Sequence, residues 1–111
     1  MSELDLTYLN EISGGDEDFI KEMIETFLEE TPKDLDQIKI HFDSKDWAEM
    51  GKTAHKMKSS IKMFGFESLK NKALFLEQNG KKGEKIDEFP NVINTFISGV
   101  NSALDELKGK L

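Results

Sequence analysis

The stretch "WAEMGKTAHKMKSSIKMFGF" (residues 47–66) places apolar side chains at Trp47, Met50, Ala54, Met57, Ile61 and Phe64, in steps of 3, 4, 3, 4 and 3. Steps of this kind keep one stripe of an α-helix facing one way, because 3.6 residues complete a turn. The run therefore predicts an amphipathic helix with a buried seam, opened by Asp43 or Ser44 as N-cap. His55 lies about 100° around the helix from Ala54, just off the seam, and is expected to reach solvent.

Helical spacing continues in both directions. Upstream, Leu4, Leu6, Leu9 and Ile12 form a short apolar segment that ends at Gly14 and Gly15. Asp16 then caps a helix carrying Phe19, Ile20, Met23, Ile24, Phe27 and Leu28 on one face. "TPKDLDQI" (31–38) reads either as Thr31 capping a new helix with Pro32 in its first turn, or as a kink in one long helix through Leu35, Ile38 and Phe42. Downstream, Phe66, Leu69, Ala73 and Leu76 repeat the spacing until "NGKKG" (79–83), where two glycines predict a turn. Phe89, Val92, Ile93, Phe96, Ile97, Val100, Leu104 and Leu107 line a last helix that tolerates Pro90 only in its first turn or at a kink. No stretch alternates like a half-buried strand. Four long amphipathic rods joined by short connections predict an all-α fold, an antiparallel up-down four-helix bundle. A short additional N-terminal helix precedes it, and the first bundle rod is broken or kinked near Pro32.

The 111 residues suit a single domain spanning 1–111, with no linker or repeat to divide it. Without cysteine there are no disulfides or thiolate metal sites. No run approaches a membrane span, and "MSELDLTYLNEIS" lacks the regions of a signal peptide, so a soluble, cytoplasmic protein is expected. A net charge of -7 argues against nucleic acid as a partner. All 15 basic residues are Lys, which removes any arginine finger and argues against a self-sufficient phosphoryl-transfer enzyme. Charge is also unevenly placed: residues 1–50 hold 4 Lys and 15 acids, whereas residues 51–111 hold 11 Lys and 7 acids.

His55 sits where the sign changes. Its column along the helix is Gly51, His55, Ser59 and Lys62, and the small neighbours one turn away leave the ring open to a large partner. Gly51 sacrifices about 1 kcal/mol of helix propensity relative to Ala, which close approach would explain. Lys52, Lys56, Lys58 and Lys62 crowd positive charge around the ring, with no acid in the chain between Glu49 and Glu67. An anion is the implied guest. A neutral, exposed imidazole is a nucleophile that can accept a phosphoryl group, with lysine ammoniums offsetting the added charge.

"AHKMKSSIKMFGF" (54–66) resembles the phosphorylation motif of histidine-containing phosphotransfer (HPt) domains of two-component phosphorelays. In that motif a helix carries His, Lys three residues on, small residues next, and Gly ten residues after the His. His55, Lys58, Ser59, Ser60 and Gly65 occupy those positions, with Ser59 standing where the family commonly has Gly. "MFGF" also resembles the related domain of chemotaxis kinases, and the likeness extends upstream through "DEDFIKEMIETFLEETP" and "DW".

The resemblance implies a relay in which His55 exchanges a phosphoryl group with the aspartate of receiver domains or takes it from a histidine kinase. Lys58, and more weakly Lys62 and Ser59, would stabilise the phosphate, and Gly65 would serve backbone geometry. Mg²⁺ and the catalytic groups would belong to the partner, and the chain itself would be a monomeric carrier without a cofactor. Lys52, Lys56 and Met63 are the expected partner surface, Met63 being the apolar side chain expected to be exposed. The rival is a non-phosphorylated helical adaptor of the same fold that docks an acidic protein through its lysine face. A metal enzyme fares worst: His41 and His55 are 14 residues apart with no His-x-x-x-His pair, and His41 reads as a half-buried packing residue.

Overall fold

The structure, a computed structural model, describes residues 3–111. Its elements in order are α1 (Thr7–Ser13), α2 (Glu17–Asp43), α3 (Trp47–Met63), α4 (Glu67–Lys82), a 3₁₀ turn (Ile86–Glu88) and α5 (Phe89–Lys108). The fold is all-helical, with no strand among the described residues. At 1.5 Å per residue the 27 residues of α2 span about 40 Å, close to the 42 Å long axis of the molecule.

The apolar stripes become the core. Met50, Ala54, Met57, Ile61 and Phe64 of the α3 seam are buried, together with Ile20, Ile24, Phe27, Leu35 and Ile38 from α2 and Leu69, Ala73 and Leu76 from α4. From α5 come Phe89, Ile93, Phe96, Val100, Leu104 and Leu107, the spacing expected for that helix. Trp47, at the start of the seam, is half-buried between the Phe42 ring at 5.9 Å and the Phe89 ring at 5.3 Å. α3 packs on both α2 and α4, and α5 packs on α4 and α2. In the N-terminal segment only Leu9 is fully buried, and Ile12 is exposed; α1 packs mainly on α2.

Caps explain the boundaries. The Asp16 side chain accepts from the N–H groups of Asp18 and Phe19 at 3.0 and 3.2 Å, as expected of that cap. The cap of α3 is Asp46, which accepts from Glu49 N–H at 3.3 Å, in place of the expected Asp43 or Ser44. Asp43 still belongs to α2, and Lys45, at φ 57°, turns the chain so that Asp46 N–H reaches the His41 carbonyl at 2.8 Å. Pro90 sits in the first turn of α5, where its missing N–H has no helical partner to lose.

One open reading is decided in favour of a single long helix, and one expectation is corrected. α2 runs unbroken through Pro32, so Thr31 does not open a new helix; Thr31, Asp34 and Leu35 are buried on one face across the proline, and that packing outweighs the lost hydrogen bond. Asn79 and Gly80 also lie inside α4, which ends at Gly83 in the left-handed conformation (φ 66°). Gly80 is where α4 crosses α3: a Cβ there would stand 2.6 Å from the Trp47 carbonyl oxygen and 3.3 Å from the Gly51 Cα. Gly80→Ala is therefore expected to destabilise by about 1–3 kcal/mol despite the better helix propensity of Ala, read as a lower urea midpoint with unchanged slope.

The N-terminal segment runs across the α3–α4 turn. Asp5 N–H donates to the Phe64 carbonyl at 2.9 Å, and the Glu3 carboxylate accepts from Ser68 N–H at 3.1 Å and from the Ser68 hydroxyl, capping α4 from a distant part of the chain. Gly65 makes this fit possible. Its φ is 82°, and a Cβ would lie 2.7 Å from the Asp5 Cβ.

Candidate functional site

His55 lies on the third turn of α3 with its side chain 63% exposed. The ring is oriented by a residue 22 positions away: its Nδ1 stands 2.7 Å from Glu77 Oε2 on α4. The other carboxylate oxygen, Glu77 Oε1, accepts from the Lys58 ammonium at 2.7 Å. One carboxylate thus joins the histidine to the lysine three residues on. Lys58 and Glu77 are each 25% exposed, partly shielded where the ring is open.

A carboxylate on Nδ1 selects the tautomer with hydrogen on that nitrogen, which leaves the lone pair on Nε2. Among the described residues Nε2 has no hydrogen-bond partner. The Lys58 hydrogen bond holds the Glu77 carboxyl below its ordinary value of 4.5; partial burial opposes this and the His55 hydrogen bond adds to it. Because the folded value is depressed, the stabilisation from this cluster is complete above about pH 4.5 and is lost as pH falls through the lower folded value. Glu77→Gln should cost about 1 kcal/mol or less at neutral pH, and the gap to wild type should close below pH 4.5 in urea titrations across pH.

The lysine face is less bare than the linear sequence predicts. Lys52 pairs with Glu49 at 3.0 Å, Lys56 with the mostly buried Asp34 of α2 at 3.1 Å, and Lys58 with Glu77. The acids absent between positions 49 and 67 arrive from neighbouring turns and helices. Lys62 is exposed, but it borders a separate hollow with Tyr8, Ser59, Met63 and Glu67, displaced along α3 from the ring. Met63 is half-buried against the core, where an exposed side chain was expected. Phe64 and Phe66 are buried.

Gly51 also acts differently from its expected part of clearing the approach to His55. It is buried against α4, where a Cβ would stand 3.1 Å from the Glu77 carbonyl oxygen and 3.4 Å from both the Leu76 carbonyl oxygen and Lys81 N. The crossing of Gly51 with Gly80 sets the register of the two helices. Four residues beyond Gly51 is His55, and three before Gly80 is Glu77, so the crossing places those two side chains opposite each other. Glu77 was invisible to local reading, and the two glycines within helical patterns are the signal that could have found it. His41 is half-buried near the end of α2, and no group of His, Asp and Glu among the described residues is arranged to hold a metal ion.

A family model described as the Hpt domain matches residues 22–109, from the first turns of α2 to the end of α5. The chain belongs to the Hpt domain family. No curated protein and no solved structure gave a match. Hpt domains are phosphocarrier modules of two-component signalling, which interact with kinases and receivers and are not themselves catalysts. The match contains α3 and α4 whole, and with them His55, Lys58 and Glu77, whereas α1 lies outside it. No helix among the described residues is long and apolar enough to cross a membrane.

Proposed function

We propose that this Hpt domain carries a phosphoryl group on Nε2 of His55 and exchanges it with the aspartate of receiver domains. The observation that carries this reading is the exposed ring whose Nδ1 is held by Glu77 at 2.7 Å, directing the free lone pair outward. The chain acts as one monomeric domain over residues 1–111, with α2 to α5 as an antiparallel up-down bundle. In support of that arrangement, Phe27 meets Phe64 while Phe42 meets Trp47, and His55 meets Glu77 while the Trp47 carbonyl lies against Gly80.

In the accepting step the Nε2 lone pair forms the N–P bond as the P–O bond of the receiver's acyl phosphate breaks, its electron pair leaving with the carboxylate. The Nδ1 proton stays on the hydrogen bond to Glu77, whose negative charge balances the positive charge that develops on the ring. Lys58 neutralises Glu77 in turn, so the carboxylate that orients the ring repels the incoming phosphate less. The chain supplies orientation and charge balance; Mg²⁺ and the groups that activate the phosphoryl donor belong to the partner. The exposed Lys52 and Lys56 and the half-buried Met63 form part of the docking surface, and the work is that of a carrier in the cytoplasm.

Incubation of the full chain with a phosphorylated receiver domain tests this. Acid-labile, base-stable phosphate on the chain is the expected result. Stable binding of receivers without any label would favour the adaptor.

A further inference from the structure

Between α3 and α4 runs an open groove of about 380 Å³, lined by Ala48, Gly51, Lys52, His55, Glu77 and Lys81. Two of the cations near the ring already have carboxylate partners: Lys52 is held by Glu49 at 3.0 Å and Lys58 by Glu77 at 2.7 Å. Lys81 is exposed and, among the described residues, has no ion-pair partner. It lies one turn beyond Glu77 on the same face of α4. We propose that Lys81 is the cation that holds the phosphoryl group on His55, a task the linear motif would give to Lys58.

The proposal rests on the reading of His55 as phosphoryl acceptor and adds the residue that balances the charge. Phosphorylation brings nearly two negative charges to a ring whose nearest charged neighbour is a carboxylate. Lys58 matches that carboxylate one for one, so a second cation is needed to hold the phosphate. Gly51 brings the two helices close enough for it. The site of its missing Cβ lies 3.4 Å from the Lys81 backbone nitrogen, and Lys81 lines the same groove as His55, which stands one turn along α3 from Gly51. A lysine stem is long and flexible enough to bring its ammonium, as a point charge, to a non-bridging phosphoryl oxygen. Lys81 keeps its proton and donates a hydrogen bond, while bond making and breaking stay at Nε2 and the acyl phosphate. Lys62 opens onto the other hollow, with Tyr8 and Glu67.

The test is phosphoryl transfer from a phosphorylated receiver domain to the full-length wild type, Lys81→Ala, Lys81→Arg and, as a control for net charge, Lys39→Ala. Loss of one charge-assisted hydrogen bond to the phosphoryl group should lower the maximal single-turnover transfer rate about tenfold in Lys81→Ala, with the concentration for half-maximal rate changed less. Lys81→Arg should restore most of the rate and Lys39→Ala should match wild type, a pattern that a merely structural role for Lys81 would not produce. Transfer to Lys81→Ala at the wild-type rate, with label on His55, would overturn the Lys81 proposal and leave the carrier reading standing. Absence of label on wild type would overturn both.

Discussion

Replacing His55 with glutamine is expected to abolish incorporation of acid-labile phosphate while leaving the fold unchanged. The side chain is 63% exposed and takes no part in the core, and glutamine is at least as good a helix former as histidine. The stability change should therefore stay within about 0.5 kcal/mol, the range of ordinary surface substitutions. Chemically the exchange is complete. The glutamine amide can still donate a hydrogen bond to Glu77, but its nitrogen lone pair is delocalised into the carbonyl and cannot attack phosphorus. Label from a phosphorylated receiver should fall to background, with circular dichroism and urea midpoint matching wild type. Label retained on the variant would remove His55 from the account.

Phe64→Ala is expected to have the largest effect on stability. Phe64 is 1% exposed and packs edge-on against Phe27 at a centroid distance of 5.0 Å, tying α2 to the end of α3. Its carbonyl also receives Asp5 N–H, so the N-terminal segment is anchored at the same place. Deleting the ring removes its burial and leaves a cavity among side chains that are already close-packed, at a cost of about 3–5 kcal/mol. Domains of this size are stable by about 5–15 kcal/mol, so much of the total would be lost and the urea midpoint should drop sharply. Phe64→Leu keeps most of the volume and should cost about 1.5 kcal/mol or less. A midpoint for Phe64→Ala close to wild type would mean that the α2–α3 contact does not bear on stability as described.

The helices were legible because their signal is local. The seam from Trp47 to Phe64 and the spacing from Phe89 to Leu107 need only a 3.6-residue period to be read, and both stripes face the core, with Trp47, Val92 and Ile97 half-buried at their margins. What misled local reading was tertiary in origin. Gly80 looks like a helix stop in "NGKKG", yet its missing side chain serves the crossing with Gly51, and α4 continues to Lys82. Pro32 left a new helix and one long helix equally readable, and buried residues on either side of it keep α2 in one piece. The position and exposure of His55 followed from its place beside the seam. Glu77 and Lys81 did not, because 22 and 26 residues separate them from His55 and only the packing of α4 on α3 brings them to the ring. The lysine cluster misled for the same reason: Asp34 and Glu77 reach it across helix interfaces that a linear count of charges does not contain.

The central claim is that Nε2 of His55, freed by the Glu77 contact at Nδ1, carries the phosphoryl group. Phosphorus–proton correlation spectroscopy of the phosphorylated chain tests it most directly. Nε2 is bonded to two ring carbons that each bear a hydrogen, whereas Nδ1 is bonded to only one such carbon. The account predicts a phosphorus signal coupled to both ring protons of His55. Coupling to a single ring proton, or to a residue other than His55, would contradict it.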